Sequence, residues 1–267
     1  MPRELVLENN IPDQRPSGAN DDSTAEPQHE GTDGPEESPM SAEDENTMFN
    51  RLARRRPARS KRDDLHPYTQ TLVMSEVDSC NIIEEATFPP QERASIEKIK
   101  YRIRVCPELT LGIYTSHTGS DIATAASSAP VYSGAPERKQ VLLGHIIATM
   151  TTNSVVTDND MAIPAPDSTP GSSLGHKEFG RTVCIHSLAV LPKFQGQGLG
   201  KTLMKAFVAR LQVQDVAERV ALIAHEHLVP YYTALGFESQ GPSKAQFGGG
   251  GWIDMVQQIR APGIGED

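Results

Sequence analysis

The feature that most constrains this chain is an apolar run, Thr182-Val-Cys-Ile-His-Ser-Leu-Ala-Val190, which leads through Leu191-Pro192 into Gln195-Gly196-Gln197-Gly198-Leu199-Gly200. The run reads as a strand inside a sheet. Gly198 opens a helix predicted to run to about Ala217, with Leu199, Leu203, Ala206, Phe207, Leu211 and Val213 or Val216 on or near its buried face. A strand, a glycine turn and a helix start in that order gather backbone N–H groups at one point and aim the positive end of a helix at it. A pyrophosphate needs that arrangement. Lys201 and Thr202 fall in the first helical turn, but there is no Gly-Lys-Ser/Thr at Walker spacing. A dinucleotide fingerprint would need another leading glycine and an acidic residue roughly 20 positions on.

The rest of the chain divides unevenly. Residues 1–62 have almost no periodic apolar pattern. Asn9 to Asn46 are rich in Asp, Glu, Pro, Ser and Gly, a composition that cannot bury enough apolar area to offset the entropy of ordering. This acidic tail is expected to be disordered, and it ends in a basic cluster of Arg51, Arg54, Arg55, Arg56, Arg59, Lys61 and Arg62. The cluster reads either as a solvated linker or as a nuclear-import signal or contact for an acidic partner. The net charge of −10 comes largely from the tail and argues against a general nucleic-acid binder. Cys80, Cys106 and Cys184 are odd in number and widely spaced, which suits neither a disulfide framework nor a metal site. The start does not resemble a signal peptide, and no stretch approaches the roughly 18 apolar residues of a membrane span. The expectation is a soluble monomer in the cytoplasm, or in the nucleus if the basic cluster acts as an import signal.

Residues 63–262 read as one domain of mixed elements around a single sheet. Expected strands are 69–77, 109–114, 141–149, 182–190, 220–224, one beginning at Phe237, and 252–256. Expected helices are 80–86, 96–105, the long one after Gly198, and a short one from Pro230 to Leu235 that Gly236 terminates. Two Ser-, Gly- and Pro-rich stretches, about 115–138 and 158–180, read as flexible insertions.

The pattern Gln195-x-x-Gly198-x-Gly200 after a strand resembles the central motif of the GNAT superfamily of N-acetyltransferases. Cys106-Pro-Glu-Leu-Thr-Leu-Gly112, Ile185-His-Ser-Leu-Ala-Val190 and Leu228-Val-Pro-Tyr-Tyr-Thr-Ala-Leu-Gly-Phe237 are similar to its arylalkylamine (serotonin) N-acetyltransferase branch, whose fungal-type relatives include polyamine acetyltransferases. The resemblance covers about Tyr68 to Gln258. It implies an α+β fold, a mixed, mostly antiparallel twisted sheet splayed at its centre with helices on both faces. It also implies acetyl-CoA as co-substrate and a small-molecule primary amine as acceptor, with a protein amine or non-catalytic CoA binding as alternatives.

Carried over by residue, the resemblance gives strand backbone at Leu188, Ala189 and Val190 to the pantetheine arm. Gln195, Gly196, Gln197, Gly198, Leu199, Gly200 and Lys201 would hold the pyrophosphate. The branch places two histidines before Leu-Ala-Val; here the second is His186 and the first position is Cys184. Its catalytic tyrosine matches Tyr232. Phe88 and Pro89 fall where relatives carry a loop over the amine, and Glu226 is a candidate attractor of a cationic amine.

The chemistry supports these roles independently. An alkylammonium must lose a proton before it can attack a thioester, and His186 can accept it directly or through water. The carbonyl oxygen gaining charge needs a donor, for which the Leu188 N–H is placed. The departing thiolate needs a proton that Tyr232 can give. Cys184 reads as packing between Val183 and Ile185 rather than as a nucleophile. His225-Glu226-His227 lacks the H-E-x-x-H spacing, so no metal is expected.

Overall fold

The computed structural model describes residues 65–259, apart from 132–133, 135–136, 166 and 168–171. The acidic tail and the basic cluster lie outside the described residues. A short strand β1 (Tyr68–Gln70) leads through a 3-10 turn into helix α1 (Val77–Thr87), followed by α2 (Ile96–Val105). Then come strands β2 (Thr110–His117) and β3 (Lys139–Thr151), a single helical turn α3 (Asp158–Met161), and strand β4 (Thr182–Val190). Helix α4 (Leu199–Gln214), strand β5 (Arg219–Ala224), helix α5 (Val229–Thr233), and strands β6 (Glu238–Pro242) and β7 (Ile253–Gln258) complete the domain.

Local chemistry explains most boundaries. Phe88 precedes Pro89, whose ring disfavours the helical region in the residue before it. Phe88 is extended (φ −110°, ψ 148°) and α1 stops there. Ser95 caps α2 by accepting from the Lys98 N–H at 3.4 Å, and Arg102 and Arg104 occupy its last turn, where a cation complements the helix dipole. Where a strand was expected through Val77, the Glu76 carboxylate accepts from the Val73 N–H at 2.8 Å. That bond closes a turn and starts the helix instead. The long helix ends at Gln214 rather than Ala217, because Asp215 turns left-handed (φ 49°). Val213, on the helix face away from Leu203, Phe207 and Leu211, is 79% exposed, and Val216, beyond the helix, lies at the surface.

Seven strands form one sheet in the order β1-β2-β3-β4-β5-β7-β6. Every pairing is antiparallel except β4 with β5. That parallel pair is short: Thr182, Val183 and Cys184 face Arg219, Val220 and Ala221, and the pairing then ends. β4 continues six residues further and β5 three, so the two strands diverge and leave a V-shaped opening at the centre of the sheet. Helices cover both faces. Ser187 of β4 reaches Glu84 of α1, whereas Val190 lies beside Gly200 of α4. An odd spacing along a strand places those two side chains on opposite faces. On the α4 side, Leu203, Phe207 and Leu211 are fully buried, and Arg210 ties the helix to the Glu108 and Thr110 carbonyls and the Thr71 hydroxyl.

The two stretches read as flexible insertions are anchored where they are described. In the first, Ile122, Thr124 and Ala125 are buried and the Thr124 hydroxyl donates to the Leu142 carbonyl at 2.6 Å. In the second, Asp160 and Met161 are buried, and His176 Nδ1 lies 2.9 Å from Cys106 Sγ while accepting from the Met150 N–H. β3 and β4 approach so closely at Gly144 that a Cβ there would stand 2.5 Å from the Ala189 carbonyl oxygen. Gly144→Ala should therefore lower stability by about 1–3 kcal/mol, read from the denaturant midpoint at unchanged slope.

Candidate active site

The opening in the sheet leaves backbone unpaired. The Leu191 N–H bonds the Leu143 carbonyl on β3, and polar groups alternate in direction along a strand. The N–H and C=O groups of Val190 and Leu188 therefore face the gap. The Val190 carbonyl accepts from Gln195 Nε2 at 2.9 Å, which fastens the glycine loop to the strand's end. Beyond it, Gly196 (φ 73°) borders open space and Gly198 (φ 77°) stands left-handed as the N-cap of α4. Only glycine takes such angles without strain. The first intrahelical bond is Thr202 N–H to the Gly198 carbonyl at 3.0 Å. The amides of Leu199, Gly200 and Lys201 thus have no acceptor within the helix. The Tyr231 hydroxyl sits over Gly200, where a Cβ would come within 2.9 Å of it. Open glycine backbone, unsatisfied amides and a helix dipole fit a pyrophosphate, and the gap fits an extended amide-bearing arm.

At the vertex of the gap the β3–β4 register shifts from Ile147↔Ser187 to Ala148↔Ile185, leaving His186 as an extra residue. A bulge of this kind turns a side chain away from its regular direction. The His186 ring is half-buried. Its Nε2 lies 2.8 Å from the Thr149 hydroxyl, and its Nδ1 3.3 Å from Met161 Sδ and 3.9 Å from Cys184 Sγ. Burial, then the charges of Arg102 and Lys98, hold the imidazole well below its ordinary pKa, so it is neutral at physiological pH. Cys184 is fully buried; burial pushes its thiol up, Asp160 adds to this, and Arg102 only partly opposes it. Its sulfur stays a thiol and packs with Val156, Ala221 and Val256.

Tyr232 is buried against Phe237 and Tyr231, with ring centroids at 5.8 and 5.2 Å. Burial, with Tyr231 adding, raises its pKa, so the hydroxyl retains its proton. Phe88 is half-buried against the main core and Pro89 is exposed. Glu226 is exposed at the start of a 3-10 turn, while its neighbour His225 stacks on Trp252 at 4.2 Å and pairs with Glu92 at 3.1 Å. The structure thus gathers His186, Cys184, the 188–190 backbone and the glycine loop around the gap.

Several residues of the site carry no sequence signal. A cleft of about 270 Å³ beside Met161 is lined by Lys98, Asp158, Met161, Ala162, Gln246 and Phe247. Met161 comes from one of the two insertions. Next to His186, Ser187 and His145 Nε2 (3.0 Å) both bond Glu84 Oε1, and the Ala94 N–H donates to Oε2 at 3.0 Å. Burial alone would raise the Glu84 pKa, but these bonds outweigh it and the group is a carboxylate. The one positional hint was the spacing of Lys98 and Arg102, four apart on one helix. Among the described residues no group of three or more His, Cys, Asp or Glu is placed to hold a metal ion, and no helix is long and apolar enough to cross a membrane.

The sheet is splayed between parallel strands, with a glycine-capped helix at one end of the gap and a bulged histidine at its vertex. Residues 136–258 match the family described as acetyltransferase (GNAT) domain. Over those residues the chain is similar to the GNAT superfamily. It is 23% identical over 165 residues to serotonin N-acetyltransferase of Mesocricetus auratus, covering 62% of this chain and 63% of that protein. It is 36% identical over 67 residues to serotonin N-acetyltransferase of Macaca mulatta, covering 25% and 33%. The match spans less than two thirds of the length of either relative. Among solved structures, the GphF GNAT-like decarboxylase in complex with isobutyryl-CoA shares the fold, with a TM-score of 0.50, 13% identity and coverage of 72% of this chain and all of that one.

Gly198→Val would force a β-branched residue into the left-handed region at the helix start. CoA affinity, measured by calorimetry, should fall at least about tenfold, a loss of about 1.4 kcal/mol.

Proposed function

We propose that this domain is an acetyl-CoA-dependent N-acetyltransferase that passes the acetyl group directly to the primary amine of a small molecule. The observation that carries the reading is the position of His186, bulged out at the point where β4 and β5 part. Acetyl-CoA supplies the thioester. Gln195 to Lys201 hold its pyrophosphate, and the Leu188–Val190 backbone holds its arm. The Leu188 N–H steadies the carbonyl oxygen as negative charge develops there. His186 is neutral and able to take the proton released as the amine nitrogen bonds the carbonyl carbon. Thr149, on its Nε2, is placed to pass that proton along. Tyr232 gives a proton to sulfur as the carbon–sulfur bond breaks. Serotonin N-acetyltransferases among the relatives support an arylalkylamine acceptor, with a polyamine as the alternative of the same class. We propose a monomer in the cytoplasm, or in the nucleus if the basic cluster at 51–62 acts as an import signal.

A panel of tryptamine, phenylethylamine, spermidine and putrescine, scored by CoA release, tests the activity. No turnover with any of them, in protein that binds acetyl-CoA, would count against it. His186→Gln and Tyr232→Phe should each lower kcat about 10²-fold or more with acetyl-CoA affinity unchanged, since each acts only in the chemical step.

The pH profile gives a separate check. The pKa of His186 is held below 6.5, so the imidazole loses its proton before that pH is reached on the way up. The acid limb of kcat/KM should therefore lie below pH 6.5 and be absent in His186→Gln. A limb at or above 6.5 would assign it to another group.

A further inference from the structure

Two cations on one face of α2 stand beside the Met161 cleft without an ion-pair partner among the described residues. Arg102 is 2% exposed, yet its guanidinium makes one hydrogen bond among the described residues, from Nη2 to the Met161 carbonyl at 3.1 Å. A guanidinium carries five N–H donors, and a buried one with so few acceptors is costly. Lys98, one turn earlier, lines the cleft, its Nζ 5.0 Å from the Phe247 ring centre. Met161 connects the two cations to the chemistry. Its carbonyl accepts from Arg102, its side chain lines the cleft, and its sulfur touches His186.

The carboxylates nearby are largely engaged. Asp158 accepts from the Gln246 and Phe247 N–H groups at 2.9 Å each. Asp160 Oδ2 accepts from the Thr157 N–H and hydroxyl and from Asn153, while its Oδ1 is buried without a partner. Glu84 is held by His145, Ser187 and the Ala94 N–H. No carboxylate among the described residues forms a salt bridge with Lys98 or Arg102, and in a low-dielectric interior an uncompensated charge acts over several ångströms.

We propose that the acceptor carries a carboxylate beside its amine: the carboxylate pairs with Lys98 and is drawn by the buried Arg102 charge beneath, while the amine lies against His186. Phe247 and Met161 form the apolar wall for the rest of the molecule, so the class is an amino acid with an apolar or aromatic side chain. A polyamine would bring a second ammonium against two cations, which electrostatic complementarity disfavours. The inference rests on the acetyltransferase reading of the same site and narrows its acceptor.

Pairs that differ only by a carboxylate test it: L-tryptophan against tryptamine and L-phenylalanine against phenylethylamine, titrated calorimetrically into the full-length CoA-loaded protein. The carboxylated member of each pair should bind about tenfold more tightly or better, the range of one charge-assisted contact. In Lys98→Met, which keeps a long unbranched side chain at this half-buried position, the gap should close to about twofold, and in Lys98→Glu it should reverse. Equal or weaker binding of the amino acids by the wild-type protein, or no binding of either member, would overturn the proposal. So would a preference that survives in Lys98→Glu. CoA release is read separately. Amino acids that bind with this preference but are never acetylated would refute the transferase reading and leave the carboxylate site standing. Turnover of the amines without the preference would do the reverse.

Discussion

The structure depends on a hydrogen-bond ladder that stops. β4 and β5 pair at Thr182↔Arg219, Val183↔Val220 and Cys184↔Ala221, and then separate. Unpaired backbone at the middle of a sheet is costly unless something else satisfies it. Here Gln195 takes the Val190 carbonyl, and the remaining edge faces the gap where an amide-bearing arm fits. The opening is held on each side by extensive pairing, β4 against the thirteen-residue β3 and β5 against β7. The gap is therefore a fixed property of the sheet, and the glycine loop and the bulged histidine take their meaning from bordering it.

Around that gap the two faces of the sheet do different work. On the α4 side the packing is apolar, with Leu203 and Phe207 fully buried. Beneath α1 and α2 lies a polar layer built from Glu84, Arg102, His145, Thr149, Ser187 and His186. Buried polar groups of this density persist only when most are mutually bonded. Glu84 meets that condition, with three donors on its carboxylate. Arg102 does not. The imbalance leaves positive charge beside His186, which adds to burial in keeping the imidazole neutral.

Much of the fold was legible because its signals are local. The helix α2, from Ser95 to Val105, follows from one cap and a 3.6-residue period; β4 follows from an apolar run whose limits match the observed strand. Where the reading missed, a single contact had overridden the pattern: Glu76 folding back on Val73, or Asp215 turning left-handed before Val216. The stretches at 115–138 and 158–180 show contacts, in their described parts, that no local signal announces. Their polar, glycine-rich composition resembles a loop, yet Thr124, Met161 and His176 each found a partner far away in sequence.

By itself the sequence determined the strand, the glycine turn and the helix behind them. These follow from short-range chemistry: the angles glycine permits, the dipole of a helix, and the periods of strand and helix. Only the tertiary structure decided that His186 is the bulged residue, that Cys184 is sealed in the core, that Lys98 lines the cleft and that Arg102 is buried against the Met161 carbonyl. Those facts depend on register and on contacts across 25 to more than 100 residues, such as Met161 to His186 and Glu84 to Ser187. No local rule fixes register or distant contact, because each is set by how all the elements pack at once.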